Sequence, residues 1–147
     1  MRNLSLPLTV SLVMGIFISA GCGARGSPIP NQPPPLAPCA VRAINLRMIE
    51  VTLPTSDIEG NRLLNIEALR VYYLSMGTNY PSALEVFQQG EAVWERRRLD
   101  LPPPGKIIKV NLSNFGRSSG WLVVVPFQLG YIAGVPSQVL PWVDPIF

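Results

Sequence analysis

The chain is predicted to be all-β, an antiparallel β-sandwich, and three observations carry that prediction. Apolar and polar residues alternate over short runs at 49–53, 69–73 and 108–112, the period-2 pattern of strands with one buried face. These runs are separated by clusters of Pro, Gly, Asn and Asp, the residues that punctuate turns. Almost no stretch shows the 3.6-residue period of an amphipathic helix. Six or seven short strands at this spacing suit two sheets packed face to face.

The domain does not begin at Met1. A single positive charge at Arg2 is followed by an apolar stretch from Leu4 to Ala20 and then Ser19-Ala20-Gly21-Cys22. That is the layout of a secretory signal: basic start, apolar middle, small residues at the cut. A transmembrane helix needs about 20 apolar residues. This stretch is shorter, holds Pro7 near its start and is followed by no stop-transfer charges. The Cys after the small residues resembles the lipobox of bacterial lipoproteins. That resemblance implies that residues 1–21 are a signal peptide, removed by cleavage, and that Cys22 carries the lipid that anchors the protein to a membrane. It also implies the outer membrane as destination, because Gly23 is not the Asp that retains such proteins at the inner membrane. The opening Cys22-Gly23-Ala24-Arg25-Gly26 is similar to that of many small Gram-negative lipoproteins.

Residues 22–38 read as a lipid-anchored, Pro-rich linker. Pro28, Pro30, Pro33, Pro34, Pro35 and Pro38 remove backbone donors and fix φ, so an extended polyproline spacer with no packed core is expected. At about 3.1 Å per residue it would hold a domain on the order of 30–50 Å from its anchor.

Residues 39–147 make the sandwich. Ile49, Val51 and Leu53 mark one strand, and the segment 54–61 is a turn-rich break. Leu69, Val71 and Tyr73 mark a second strand. Residues 82–91 suit a helix through Ala83, Leu84 and Phe87, or a strand through Leu84, Val86 and Gln88. Val93 to Leu99 is β-compatible and is stopped by Pro102-Pro103-Pro104-Gly105. Ile108, Val110 and Leu112 follow, then a long run in which Trp121, Val123, Val125 and Phe127 share one face and Leu122 and Val124 the other. A strand apolar on both faces lies within a covered sheet; Trp121, Val123 and Val125 are expected at the centre of the sandwich core. Pro126 implies a bulge or edge there. Gly130 to Pro136 forms a loop, and Val139 to Val143 is the last strand.

This order resembles an immunoglobulin-like sandwich of the fibronectin type III kind. Ile49 to Pro54 followed by Asp57-Ile58-Glu59-Gly60 is similar to the family's strand B and the turn after it. Ile66 to Leu74 looks like strand C, Trp121 to Phe127 like strand F, and Ser137 like the Ser that opens strand G. The family's core Trp on strand B has no counterpart, since Leu53-Pro54 stands there. Its strand-F Tyr would have to be Trp121, nine residues after Leu112.

Composition narrows the chemistry. There is no histidine, and His is the usual proton-transfer group near neutral pH and a common metal ligand. No Ser-His-Asp or Cys-His apparatus is expected, nor any cofactor or metal. A net charge of +3 that includes Arg2 is too small for the footprint of a nucleic-acid binder. With Cys22 assigned to lipid, Cys39 is an odd thiol, either buried and inert or paired with another molecule. Asp57 and Glu59 supply too few oxygens for calcium. Glu91 and Glu95 flank Trp94 but lack the cleft that glycoside hydrolysis requires.

Two features remain as contact sites for a partner. Arg96-Arg97-Arg98 is the dense charge cluster of the mature chain. In a strand Arg96 and Arg98 would share a face, guarding an edge against aggregation or meeting an acidic partner or anionic headgroups. Tyr131 and Ile132 lie between Gly130 and Gly134, on a loop tip of the kind that binds partners or folded back on the sandwich. The function expected is that of a non-catalytic module meeting an unidentified envelope protein. A carbohydrate-binding or enzymatic accessory domain and a subunit of a secretion or appendage assembly are the alternatives.

Overall fold

Eight strands and one short helix appear in the computed structural model, which describes residues 32–143. Cys22, the stretch 1–21 read as a signal peptide and most of the expected linker lie outside the described residues. The order is β1 (Ala40–Asn45), β2 (Met48–Thr52), β3 (Ala68–Ser75), α1 (Ala83–Gln89), β4 (Glu91–Arg97), β5 (Ile107–Asn111), β6 (Gly120–Gln128), β7 (Ile132–Ala133) and β8 (Leu140–Trp142). One antiparallel sheet runs β1-β2-β5, and the other runs β4-β3-β6, with β7 and β8 both pairing to the far side of β6. This is an all-β, immunoglobulin-like sandwich.

Strand pairing follows from the alternation. β2 places Ile49 and Val51 inward, opposite Val110 and Ile108 of β5. From the facing sheet β3 contributes Leu69, Val71 and Tyr73, and β6 contributes Leu122 and Val124. These residues, with Leu112, Trp142 and buried Cys39, form the core between the sheets.

The expectation that Trp121, Val123 and Val125 occupy that centre is corrected. Val123, Val125 and Phe127 lie on the outer face of the five-stranded sheet, in a second cluster with Ala68 and Val86. Helix α1 supplies the cover. Ser82 caps it by accepting a hydrogen bond from the Glu85 N–H (3.2 Å), and Ala83, Val86 and Phe87 point at the sheet, the i, i+3, i+4 spacing of one helical face. The ambiguous segment 82–91 is therefore helix followed by the start of β4. A seven-residue helix is marginal by itself, so the outer apolar face of β6 is what holds it.

Pro126 sits inside β6 without a bulge in the β3–β6 register, opposite Leu69. Its carbonyl accepts from Gly134 N–H (2.7 Å), whereas the Phe127 carbonyl accepts from Glu67, beside β3 (2.9 Å). Even-numbered residues of β6 thus direct their backbone groups away from β3, into the gap between β7 and β8. The missing Pro126 N–H falls where no regular ladder needs it. In that gap Ser137 takes over, its N–H donating to the Val124 carbonyl and its Oγ accepting from the Val124 N–H.

The linker boundary also needs correction, because residues 34–37 pack against the sandwich. Leu36 is buried in the core and bridges to Asp57. Its carbonyl accepts from Val135, and the Pro35 carbonyl accepts from Ile58. A Cβ added to Gly134 would stand 2.8 Å from Leu36 Cβ, so glycine is required for this close approach. Proline-rich sequence lacks donors, but its carbonyls remain acceptors, and here they complete the loop end of the sandwich.

Candidate functional site

The outer face of the five-stranded sheet is divided in two. One half lies under α1. On the other half the register brings the two predicted contact regions toward each other: Ala68 pairs with both Arg97 and Phe127, and Arg70 pairs with Glu95 and Val125. Directly opposed residues share a face, so Arg70, Glu95 and Arg97 project together on the side where Phe127 lies.

Arg70 is the centre of this arrangement, and composition gave no reason to single it out. Its guanidinium lies 4.7 Å from the Phe127 ring centroid and 5.3 Å from that of Tyr131, within cation–π range of both. Its Nε pairs with Glu95 Oε1 at 3.3 Å, and the same oxygen lies 3.8 Å from Arg97 Nε. A hydrogen bond with Tyr72, and then the pairing with Glu95, raise the Arg70 pKa against the lowering effect of partial burial. The charge is therefore permanent and its orientation fixed by four neighbours.

Tyr131 folds back on the sheet while its ring stays exposed. It adopts φ +56°, the left-handed region that side chains with a Cβ seldom occupy, directly after Gly130 at φ +82°. Backbone strain of this kind persists where surrounding contacts hold it, and the Arg70–Phe127 pair supplies them. Ile132 is half-buried in β7 and pairs with Gln128, so it is not a loop-tip residue.

The arginine triplet does not act as one strand. β4 ends at Arg97, and Arg98 begins a short 3-10 turn to Asp100, so Arg96 and Arg98 do not share a strand face as expected. β4 is the outer strand of its sheet, which does place Arg96 and Arg97 at an edge. Arg96 stacks over Trp94, 5.2 Å from its centroid, and Arg97 turns to the opposite face beside Glu95. The backbone N–H of Arg98 donates to the Glu67 carbonyl (2.8 Å), and its side chain is exposed.

The remaining candidates have structural partners. Both Asp57 carboxylate oxygens accept hydrogen bonds: from the Glu59 and Asn61 N–H groups and from the Asn61 amide. Burial pushes this carboxyl up, but those donors outweigh it and hold its pKa below the ordinary value. Glu91 pairs with Arg117 at 2.8 Å. Burial pushes the Cys39 thiol up to about 12, and the residue is free and enclosed. Trp142 is buried, whereas Trp94 and Trp121 are half-buried, the latter meeting the Tyr80 ring edge-on at 4.6 Å between centroids.

No family model and no curated protein matches the chain. Among solved structures, a chain described as "Titin kinase and its flanking domains" is similar at 13% identity and a TM-score of 0.38. The match covers 76% of this chain and 17% of that one. The assignment of the fold rests on the strand order and register described above.

Proposed function

We propose that this protein is an envelope lipoprotein of the outer membrane, anchored through lipid on Cys22, whose fibronectin type III-like sandwich acts as a non-catalytic contact module for another envelope protein. One observation carries the contact surface: a charged arginine held between two aromatic rings on an open sheet face, continuous with Arg97 on an edge strand. Arginine and tyrosine are the residue types that dominate binding energy at interfaces, and fixing them in advance lowers the ordering cost of association. The strand positions support the finer family resemblance, with β2, β3 and β6 standing where strands B, C and F were read and Ser137 before β8. Arg96 lies over Trp94 and Tyr80 meets Trp121 edge-on, so the two rings form no flat exposed platform, which favours a protein partner over a sugar.

The test is capture of the native partner from envelope extracts after crosslinking. Tyr131→Ala with Ile132→Ala, and separately Arg96, Arg97 and Arg98 to Ser, are expected to leave the domain folded by circular dichroism, and the first to abolish capture. Normal capture by both variants, with loss of activity in Glu91→Gln or Glu95→Gln, would overturn the contact reading.

A further inference from the structure

The three most exposed large apolar side chains among the described residues are Leu99 (97%), Leu64 (90%) and Leu129 (76%). They come from three different loops, yet all three loops lie at one end of the sandwich. β2 ends and β3 begins there, since Ala40 pairs with Thr52 and Ala68 with Phe127; β4 and β6 also end there. The backbone of Glu67 links the three loops, accepting from Arg98 N–H and donating to the Phe127 carbonyl. Leu99 therefore follows one of its partners and Leu129 stands two residues after the other, while Leu64 lies on the loop that leads into Glu67. Exposed Ile58 adds a fourth apolar side chain on that last loop. Arg62, Arg98 and Lys106 on these loops form no ion pair among the described residues; Glu59, Glu67 and Asp100 lie among them, so the end is apolar with mixed charge.

The packed unit also begins at this end. Residues 34–36 hydrogen-bond to Gln128, Ile58 and Val135. Among the described residues Pro34 is the first to hydrogen-bond to the sandwich, and the 11 residues between it and Cys22 could span at most about 34 Å as polyproline. A lipid at Cys22 would keep this end within that distance of the bilayer, closer than the opposite end.

We propose that the loop end carrying Leu64, Leu99 and Leu129 is a docking surface for a phospholipid bilayer, with these leucines entering the headgroup boundary and Arg98 and Lys106 meeting phosphates. This rests on the anchoring reading above. Leucines inserted at an interface add to the hold of a single lipid anchor in proportion to the apolar area buried. Docking would set the sandwich upright, with the Arg70–Tyr131 face held sideways to the membrane, open to a neighbouring envelope protein.

The test uses the chain from residue 22 onward, which contains the whole packed unit. Cys22 is coupled to a maleimide lipid in vesicles of phosphatidylethanolamine and phosphatidylglycerol; Cys39 is buried and does not compete. Deuterium exchange is compared between tethered and free protein. Tethering is expected to slow exchange about tenfold in segments 58–64, 98–100 and 129–131 and to leave 46–47 and 76–80 unchanged. Replacing Leu64, Leu99 and Leu129 by Glu together should remove the protection without altering the fold, because all three side chains are exposed. No protection, protection at the opposite end, or protection that survives the three substitutions overturns the proposal. The coupling is chemical, so the result is independent of acylation in cells. That step is read separately by palmitate labelling of the native chain and of Cys22→Ser. Loss of membrane attachment without docking, or docking without native acylation, tells the two failures apart.

Discussion

Placing an unpaired charge in either apolar cluster should unfold different amounts of this protein. Val124 and Val86 are both essentially inaccessible, at 1% and 0% exposure. Val124→Asp puts a carboxylate between two packed sheets, each held by its own strand pairing, where nothing can move aside. Desolvating an ionised carboxylate without a partner costs several kcal/mol or more. A domain of this size has a total stability of about 5–15 kcal/mol, so the sandwich should unfold or be stable only at low temperature. Val86→Asp has an escape, because α1 can leave the sheet. The cost is then capped by undocking, which exposes Val86 and parts of Ala83, Phe87, Val123 and Val125. Undocking forfeits the burial of Val86, about 1.5–3 kcal/mol, and the conformational entropy regained by the seven freed residues offsets the loss of their partial contacts, so the cap lies near that value. Urea unfolding should give Val86→Asp a lowered midpoint with the fold retained and rapid amide exchange confined to 83–89, while Val124→Asp shows no cooperative transition. Equal destabilisation by the two variants, or a Val124→Asp protein with unchanged unfolding, would refute the division into two cores.

Three further outcomes are expected. Cys39 should resist thiol reagents at neutral pH until the domain unfolds. Its folded pKa near 12 exceeds its ordinary value of 9.0, so the unfolded state releases its proton first and stability falls as pH rises from about 9 to 12; Cys39→Val should remove that part of the pH dependence in thermal scans. Tyr73→Phe removes the hydrogen bond from the hydroxyl to the Ser118 carbonyl (2.8 Å) and should cost about 1 kcal/mol with faster amide exchange in 112–119. Gly134→Ala should destabilise by more than a surface change does and free the segment 33–38, seen as new protease cleavage there, since its Cβ would press on Leu36.

Much of the sandwich was legible because its strands are half-buried and so alternate. β2 and β5 each have one wet face, and β3 carries the half-buried Arg70 and Tyr72 between its inward residues, so the period marked all three. β6 is different: both faces are covered, by the opposite sheet and by α1, so its residues are apolar in either register. Nothing local distinguishes Leu122 and Val124 from Val123 and Val125. The parity is set by which face of β3 is polar, since Arg70 opposes Val125 and Val71 opposes Val124; carrying the clear alternation of 69–73 across a pairing would have placed the core correctly. The corner before β6 depends on tertiary contacts that no local pattern marks. Trp121 does not hold it; the Tyr73 hydroxyl and Trp142 Nε1 do, donating to the Ser118 and Arg117 carbonyls from neighbouring strands.

The candidate surface was half legible for a related reason. Arg96, Arg97 and Tyr131 stand out in a sequence with few charges and few loop aromatics, but the residue that joins them does not. Arg70 occupies an ordinary polar position of an alternating strand. Its importance arises from a register that places Phe127, 57 positions later, and Glu95, 25 positions later, beside it. Leu36 is hidden in the same way, as one apolar residue among prolines. Its burial moves the domain boundary back to about Pro34, and on the proposed anchoring through Cys22 it leaves 11 residues between the two. On that proposal the entry end, with its exposed leucines, is the part of the domain nearest its anchor.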